Sequence, residues 1–141
     1  MIEVKGAKEI LRAIQGLPKQ FSDPYLRKVH RKASLVVVNE IHRRAPVGLT
    51  GNLADSIGVV KSEGLGGIAV GPIIGGGKKG FAGHLNEYGT KPRRTRRGKK
   101  LGVMEAKPFE RPAWDAKDSQ VEQIIANELS RDLGTYFRQK L

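Results

Sequence analysis

The sequence predicts an α+β fold, in which a small antiparallel sheet packs against N-terminal helices and a long C-terminal helix. Three observations carry this. Leu26, Val29, Ala33, Val36, Val37 and Ile41 form one helical stripe within Tyr25–Arg44. Val121, Ile124, Ile125, Leu129, Leu133 and Phe137 continue a second stripe begun at Trp114. Between them lie two β-like runs, SIGVVKS (56–62) and GIAVGPII (67–74), joined by Gly64-Leu65-Gly66. With 141 residues, the chain is expected to be one domain, 1–141. A domain of this length buries about 68% of its unfolded surface.

The elements follow in order. Ile2-Glu3-Val4 alternates like a short strand, and Ala7–Leu17 has helical spacing at 10, 11, 14 and 17. Pro18 and Ser22-Asp23-Pro24 break it. Ser22 or Asp23 can cap the next helix, and Pro24 suits its first turn, where an N–H needs no partner. Pro46 ends that helix. Gly75–Gly80 reads as a flexible loop, and Phe81–Tyr88 as a short helix stopped by Gly89. KPRRTRRGKK (91–100) has seven positive charges in ten residues and almost nothing to bury. It reads as a mobile loop. Val103 and Met104 return the chain to the sheet, and Pro108–Ala113 leads into the last helix. The expected core is Leu26, Val29, Val36, Ile41, Ile57, Val70, Trp114, Ile124 and Ile125.

Composition narrows the function. Lys and Arg number 26 against 14 Asp and Glu, a net charge of +12, which favours a polyanion or an acidic protein surface as partner. No Cys is present, so disulfides, zinc thiolates and Cys nucleophiles are excluded. No apolar run has the ~18 residues of a membrane span. The start MIEVKGAKEILRAI is amphipathic, carries acids and has no apolar h-region, so no signal peptide is expected.

Catalytic motifs are missing. Gly71 and Gly76 have P-loop spacing, but Gly77 stands where the phosphate-binding Lys is needed. His30 and His42 fall about 120° apart on a helix, so they share no metal-binding face. Glu87, Glu105 and Glu110 are the only acids near the middle loops, and Ser56 is not in a nucleophile elbow. No enzyme, cofactor or metal is expected. The basic run has no aromatic residue for base stacking, so it can contact phosphates but not read a sequence.

Three segments remain: APVGLTGNLADSI (45–57), GHLNEYGT (83–90) and KPFERPA (107–113). In kind, order and spacing they resemble the minor tail-component, or tail completion, proteins of lambdoid siphophages of the HK type. With the flanking helices the resemblance spans nearly the whole chain. The matching positions are Pro46, Thr50, Gly51, Leu53, Ser56, Ile57, Glu87, Gly89, Thr90, Pro108, Phe109, Arg111 and Pro112. Two features depart from the pattern. Gly48 and Leu49 stand where one residue is usual, and 91–106 is longer and more basic than a minimal member needs.

The resemblance implies a non-catalytic virion protein of the neck. It would be a ring subunit, a hexamer by resemblance, set between head connector and tail, with channel DNA nearby and no membrane. A tail terminator is the alternative within that class. A basic nucleic-acid-binding module is the alternative outside it, using the 25–44 helix and the loop cations Lys91, Arg93, Arg94, Arg96, Arg97, Lys99 and Lys100; a nuclease ranks third. Read from the residues alone, 45–57 is a corner turning helix into sheet. Thr50 caps a short helical turn, Gly51 supplies backbone freedom, and Leu53 and Ile57 point inward. Glu87 has two readings, a surface carboxylate or a buried one fixing the Gly89-Thr90 turn by pairing with Arg111.

Overall fold

A computed structural model of the protein describes residues 12, 14–17, 21–48 and 50–140. The expected strand at Ile2–Val4, most of the first helix and Leu49 lie outside these residues. Residues 12 and 14–17 are helical, within the first expected helix.

Helix α1 spans Asp23–Arg44. Ser22 holds the N-cap position, but its side chain makes no capping bond. Asp23 does not cap either: its carboxylate accepts the Gly66 N–H at 2.7 Å and pairs with Arg27. Arg27 reaches on to the Gly67 and Ser62 carbonyls. His30 Nδ1 lies 2.7 Å from the Gly66 carbonyl oxygen, which makes it the protonated ring nitrogen. The first turns of α1 thus hold the β-turn at 64–67 in place. At the other end Pro46 forces Ala45 into extended geometry, φ −59° and ψ 133°, and the helix stops.

Helix α2 (Asn52–Ser56) runs directly into strand β1 (Ile57–Lys61), which pairs antiparallel with β2 (Ile68–Pro72). Two-residue strands β3 (Ile74–Gly75) and β4 (Lys78–Lys79) form a tight hairpin where a flexible loop was expected. A 3₁₀ turn (Gly80–Ala82) leads into α3 (Gly83–Tyr88). Strands β5 (Thr90–Arg94) and β6 (Lys100–Met104) pair antiparallel. Helices α4 (Glu110–Asp115) and α5 (Asp118–Lys140) complete the chain.

The β-structure among the described residues is three separate two-stranded ribbons, and β6 pairs with β5. Val103 and Met104 therefore do not return to the β1–β2 sheet as expected. The basic segment is a hairpin rather than a loop. Thr95 organises its tip, with its N–H on the Lys99 carbonyl, its carbonyl on the Gly98 N–H and its hydroxyl on the Lys99 N–H. Pro92 is tolerated because a two-stranded ribbon leaves half of its N–H positions unpaired.

Ala33, Val37, Ile41 and Ala45 of α1 pack on Leu53, Ile57, Phe109, Ala113 and Val121 to form the core. Val36, Val70, Ile124 and Ile125 border it, and Val29 is buried. Tyr25 and Lys32 cross to Asp132 and Glu128 at 2.7 Å each, locking α1 against α5. Two expected core residues fall outside the core: Leu26 is half-buried beside the Gly66 turn, and Trp114 is exposed. Trp114 is 50% exposed, whereas Phe109, only 1% exposed, is the largest fully buried side chain. Proline geometry is the reason. Pro108 and Pro112 set the start of α4 so that Phe109 and Ala113, four apart, face inward, and Trp114 is rotated about 100° away.

Phe109→Ala should therefore cost about 3–5 kcal/mol. Trp114→Ala should cost about 1 kcal/mol or less, as at a surface site. Urea denaturation of the two variants checks this ranking, and equal losses would contradict it.

Candidate functional site

The residues of the GHLNEYGT and KPFERPA segments meet at one carboxylate. Glu87, in the last turn of α3, is 6% exposed. Its Oε2 accepts the Phe109 and Glu110 N–H groups at 2.7 and 2.9 Å, and its Oε1 accepts that of Arg111 at 3.1 Å. These amides open α4, where a helix has no internal acceptors to offer them. Lys107 N–H adds a bond to the Asn86 carbonyl at 2.7 Å. Of the two readings of Glu87, the buried one holds with a changed partner. Its hydrogen bonds go to backbone amides, including that of Arg111, and the guanidinium contributes charge at a distance. Burial pushes the Glu87 carboxyl up, but the three amides and the Arg111 charge outweigh it and hold it below its ordinary value.

Gly89 follows at φ 68° and ψ −168°, a region open essentially to glycine alone. A Cβ there would lie 2.7 Å from the Met104 carbonyl oxygen. The chain then leaves the body, runs through β5 and β6, and returns beside its exit. The Thr90 hydroxyl accepts the Met104 N–H at 3.0 Å and closes the hairpin base.

The 45–57 segment is a corner, as its residues imply. Leu53 and Ile57 are buried. Ser56, fully buried, donates to the Leu53 carbonyl at 2.6 Å. Thr50 does not cap α2: Gly51 holds the N-cap position in left-handed geometry, φ 63°. Pro46, Pro108 and Pro112 act through backbone geometry at element ends.

Two surfaces remain available for contact. One is the hairpin, where Lys91, Arg93, Arg94, Arg96, Arg97, Lys99 and Lys100 are all exposed. None of these cations has an ion-pair partner among the described residues. The hairpin makes no extensive contact with any other element. The cations of α1 contrast with it. Arg43 and Arg44 clasp Glu40, pulling its carboxyl down to about 2. Lys32 pairs with Glu128, Arg27 with Asp23, and Arg31 donates to the Val59 carbonyl.

The other surface is an open apolar groove of about 640 Å³ between α1, β2, α4 and α5, which sequence reasoning missed. Val70, Tyr88, Trp114, Val121 and Ile125 line it, and Glu110 enters it from α4. Burial and the neighbouring Glu87 charge push the Glu110 carboxyl up. Two of the groove's aromatics are largely exposed, Tyr88 at 81% and Trp114 at 50%. Among the described residues no group of His, Asp and Glu side chains is placed to hold a metal ion. No helix among them is long and apolar enough to cross a membrane.

Residues 8–89, more than half of the chain, match the model of the HK97-gp10-like family, described as "Bacteriophage HK97-gp10, putative tail-component". The chain belongs to this family. It is a bacteriophage tail component, and its place is the virion. No curated protein and no solved structure matches the chain. The matched region holds the 45–57 corner and the GHLNEYG segment, and ends where the hairpin begins. The hairpin and KPFERPA, joined to it through Glu87, lie beyond that region.

Glu87→Gln places an amide donor against backbone donors, so it should cost about 2 kcal/mol. Arg111→Gln should cost far less, and the double variant should be additive within about 0.5 kcal/mol. A larger coupling would mean that the guanidinium is the partner after all. A depressed carboxyl stabilises the fold above its unfolded value, and that stability is lost as pH falls through the folded one. Glu87→Gln should therefore flatten the acid side of the Tm–pH curve. Gly89→Ala, which must enter the glycine-only region, should cost at least about 2 kcal/mol in the same melts.

Proposed function

We propose that the protein is a subunit of a ring in the phage neck, a tail completion or head–tail joining component acting through protein–protein contacts. The ring is a homo-oligomer, a hexamer by family resemblance, made in the bacterial host cytoplasm and placed between the head connector and the tail. Family membership supports the tail role, and one observation carries the rest: seven unpaired cations stand on a hairpin held off the body by the Glu87 anchor. At the ~8 Å Debye length of physiological salt such charges repel one another unless a partner supplies counter-charge. A closed ring of like subunits needs a heterologous interface, and hairpin and groove are two different patches of one surface.

A nucleic-acid-binding module is the second reading, favoured by the same hairpin. Arg27, Lys32, Arg43 and Arg44 of α1, which would extend its footprint, are instead paired within the subunit. Hairpin contact with channel DNA remains compatible with a neck ring. A tail terminator of similar build would use the same surfaces.

Replacing Arg93, Arg94, Arg96 and Arg97 with Ser tests the joining role. Head–tail joining measured in vitro across a salt series should slow by about tenfold or more at low salt, with a flatter salt dependence. A rate and a salt dependence both at wild-type values would make the hairpin a solvated insertion and overturn the proposal.

A further inference from the structure

The groove and the hairpin each lack what the other carries. Glu110 is a half-buried carboxylate at the groove, and no side chain among the described residues bonds to it. Its carboxylate rests over β2, where a Cβ on Gly71 would lie 3.0 Å from Oε2. At 100° per residue, Asp118 and Glu122 project from the same flank of α5 as Val121 and Ile125, and neither forms an ion pair. The groove is thus an apolar floor with the unpaired Glu110 carboxylate beside Arg111 in its lining and two acids on the α5 flank nearby, on a chain whose net charge is +12.

The hairpin has the opposite character. Leu101 and Val103 flank the left-handed Gly102 on β6 and are 51% and 66% exposed. Arg93 and Arg94 sit across from Gly102 and Lys100 on the paired strand. An isolated two-stranded ribbon is at best marginally stable in water, and two exposed apolar side chains beside a cluster of cations call for a cover with both apolar and acidic groups.

We infer that the groove between α1, β2, α4 and α5 is the docking site for the β5–β6 hairpin of a second copy of this chain. The inference rests on the ring reading and deepens it. The hairpin does not lie in its own groove: it leaves and returns beside Tyr88 and Glu110 and makes no extensive contact with another element. A five-residue arm reaches about 17 Å, so it carries its charges onto a neighbour instead. Leu101 and Val103 settle on the apolar floor, and the arginines reach Glu110 and the α5 acids. A copy that gives its hairpin on one side and receives another on a second side forms head-to-tail contacts. The elevated Glu110 carboxyl fits a site awaiting a cation, whose arrival would lower it again.

The absence of Cys makes the test clean. Tails carrying the double variant Leu101→Cys with Trp114→Cys are assembled in host cells, purified in the virion and oxidised. Non-reducing gels should show loss of the monomer to a ladder of linked subunits, while either single variant stays monomeric. Arg94→Cys with Glu110→Cys is a second pair should the first fail to assemble, and it should give the same ladder. A lysine-reactive cross-linker on wild-type virions reports the ring independently. If it gives the ladder and neither Cys pair links, the ring stands and the hairpin–groove contact is overturned, with channel DNA the hairpin's remaining partner. If Cys pairs link but stop at dimers, the contact stands as a reciprocal exchange and the ring is overturned. If neither reagent links subunits, both readings fall.

Discussion

The carboxylate of Glu87 is the constraint on which the rest of this structure depends. Three amides at the start of α4 have no acceptor within their own helix, and one buried side chain from α3 accepts all three. Leaving them unpaired in the core would cost about 1–3 kcal/mol each. The anchor fixes α4, and α4 delivers Phe109 and Ala113 into the core against α1. It also brings residues 87 and 109–111 together, which turns everything between them into an excursion with a fixed base. Gly89 and Thr90 shape that base on one side and Met104 on the other. The hairpin can therefore vary in length and charge without disturbing the core.

Much of the fold was legible because its elements are amphipathic at a single period. Both long helices, the β1–β2 ribbon and the inward positions Leu53 and Ile57 follow from apolar spacing alone. What spacing could not supply was rotation at short elements. In six residues of α4 the stripe has no length over which to declare itself, so Trp114 reads as core by its chemistry and Phe109 does not stand out. The basic hairpin escaped for a different reason. A sequence reading asks for apolar anchors, whereas this ribbon is held by backbone pairing, the Thr95 tip and its clamped base. Glu87 was legible as a residue that matters, but not its partners. Backbone amides carry no side-chain signature, so the nearby Arg111 took their place. The groove was least legible, since α1, β2, α3 and the α4–α5 region, far apart in sequence, make it together.

Charge is divided in this molecule in a way that total composition conceals. The +12 excess reads as a uniformly basic surface. In the folded chain, most of the α1 cations near acids are paired with Asp23, Glu40 or Glu128, or hold carbonyls of the β1–β2 ribbon. Those contacts position elements, and exposed ion pairs of this kind contribute little to stability. The densest cluster of unpaired cations is on the hairpin, while Glu110, Asp118 and Glu122, around α4 and the start of α5, form no ion pair. A subunit polarised in this way has a direction, and direction is what separates a ring-forming contact from a two-fold one.

The hairpin's weakness in isolation then becomes part of its use. Two strands with irregular pairing, a proline in one arm and seven repelling charges have little reason to hold a single shape in free solution. On the proposed reading the cost of ordering them falls at the moment of contact, so affinity between free subunits stays low while steering remains strong. If the subunit works in the neck, as proposed, assembly gains from that division. Subunits that closed into rings in the cytoplasm would compete with assembly on the tail, whereas subunits that order their hairpins only against a neighbour already in place add one after another. The fixed base provided by Glu87 limits that cost to the hairpin itself, because its two ends are held the right distance apart before any partner arrives.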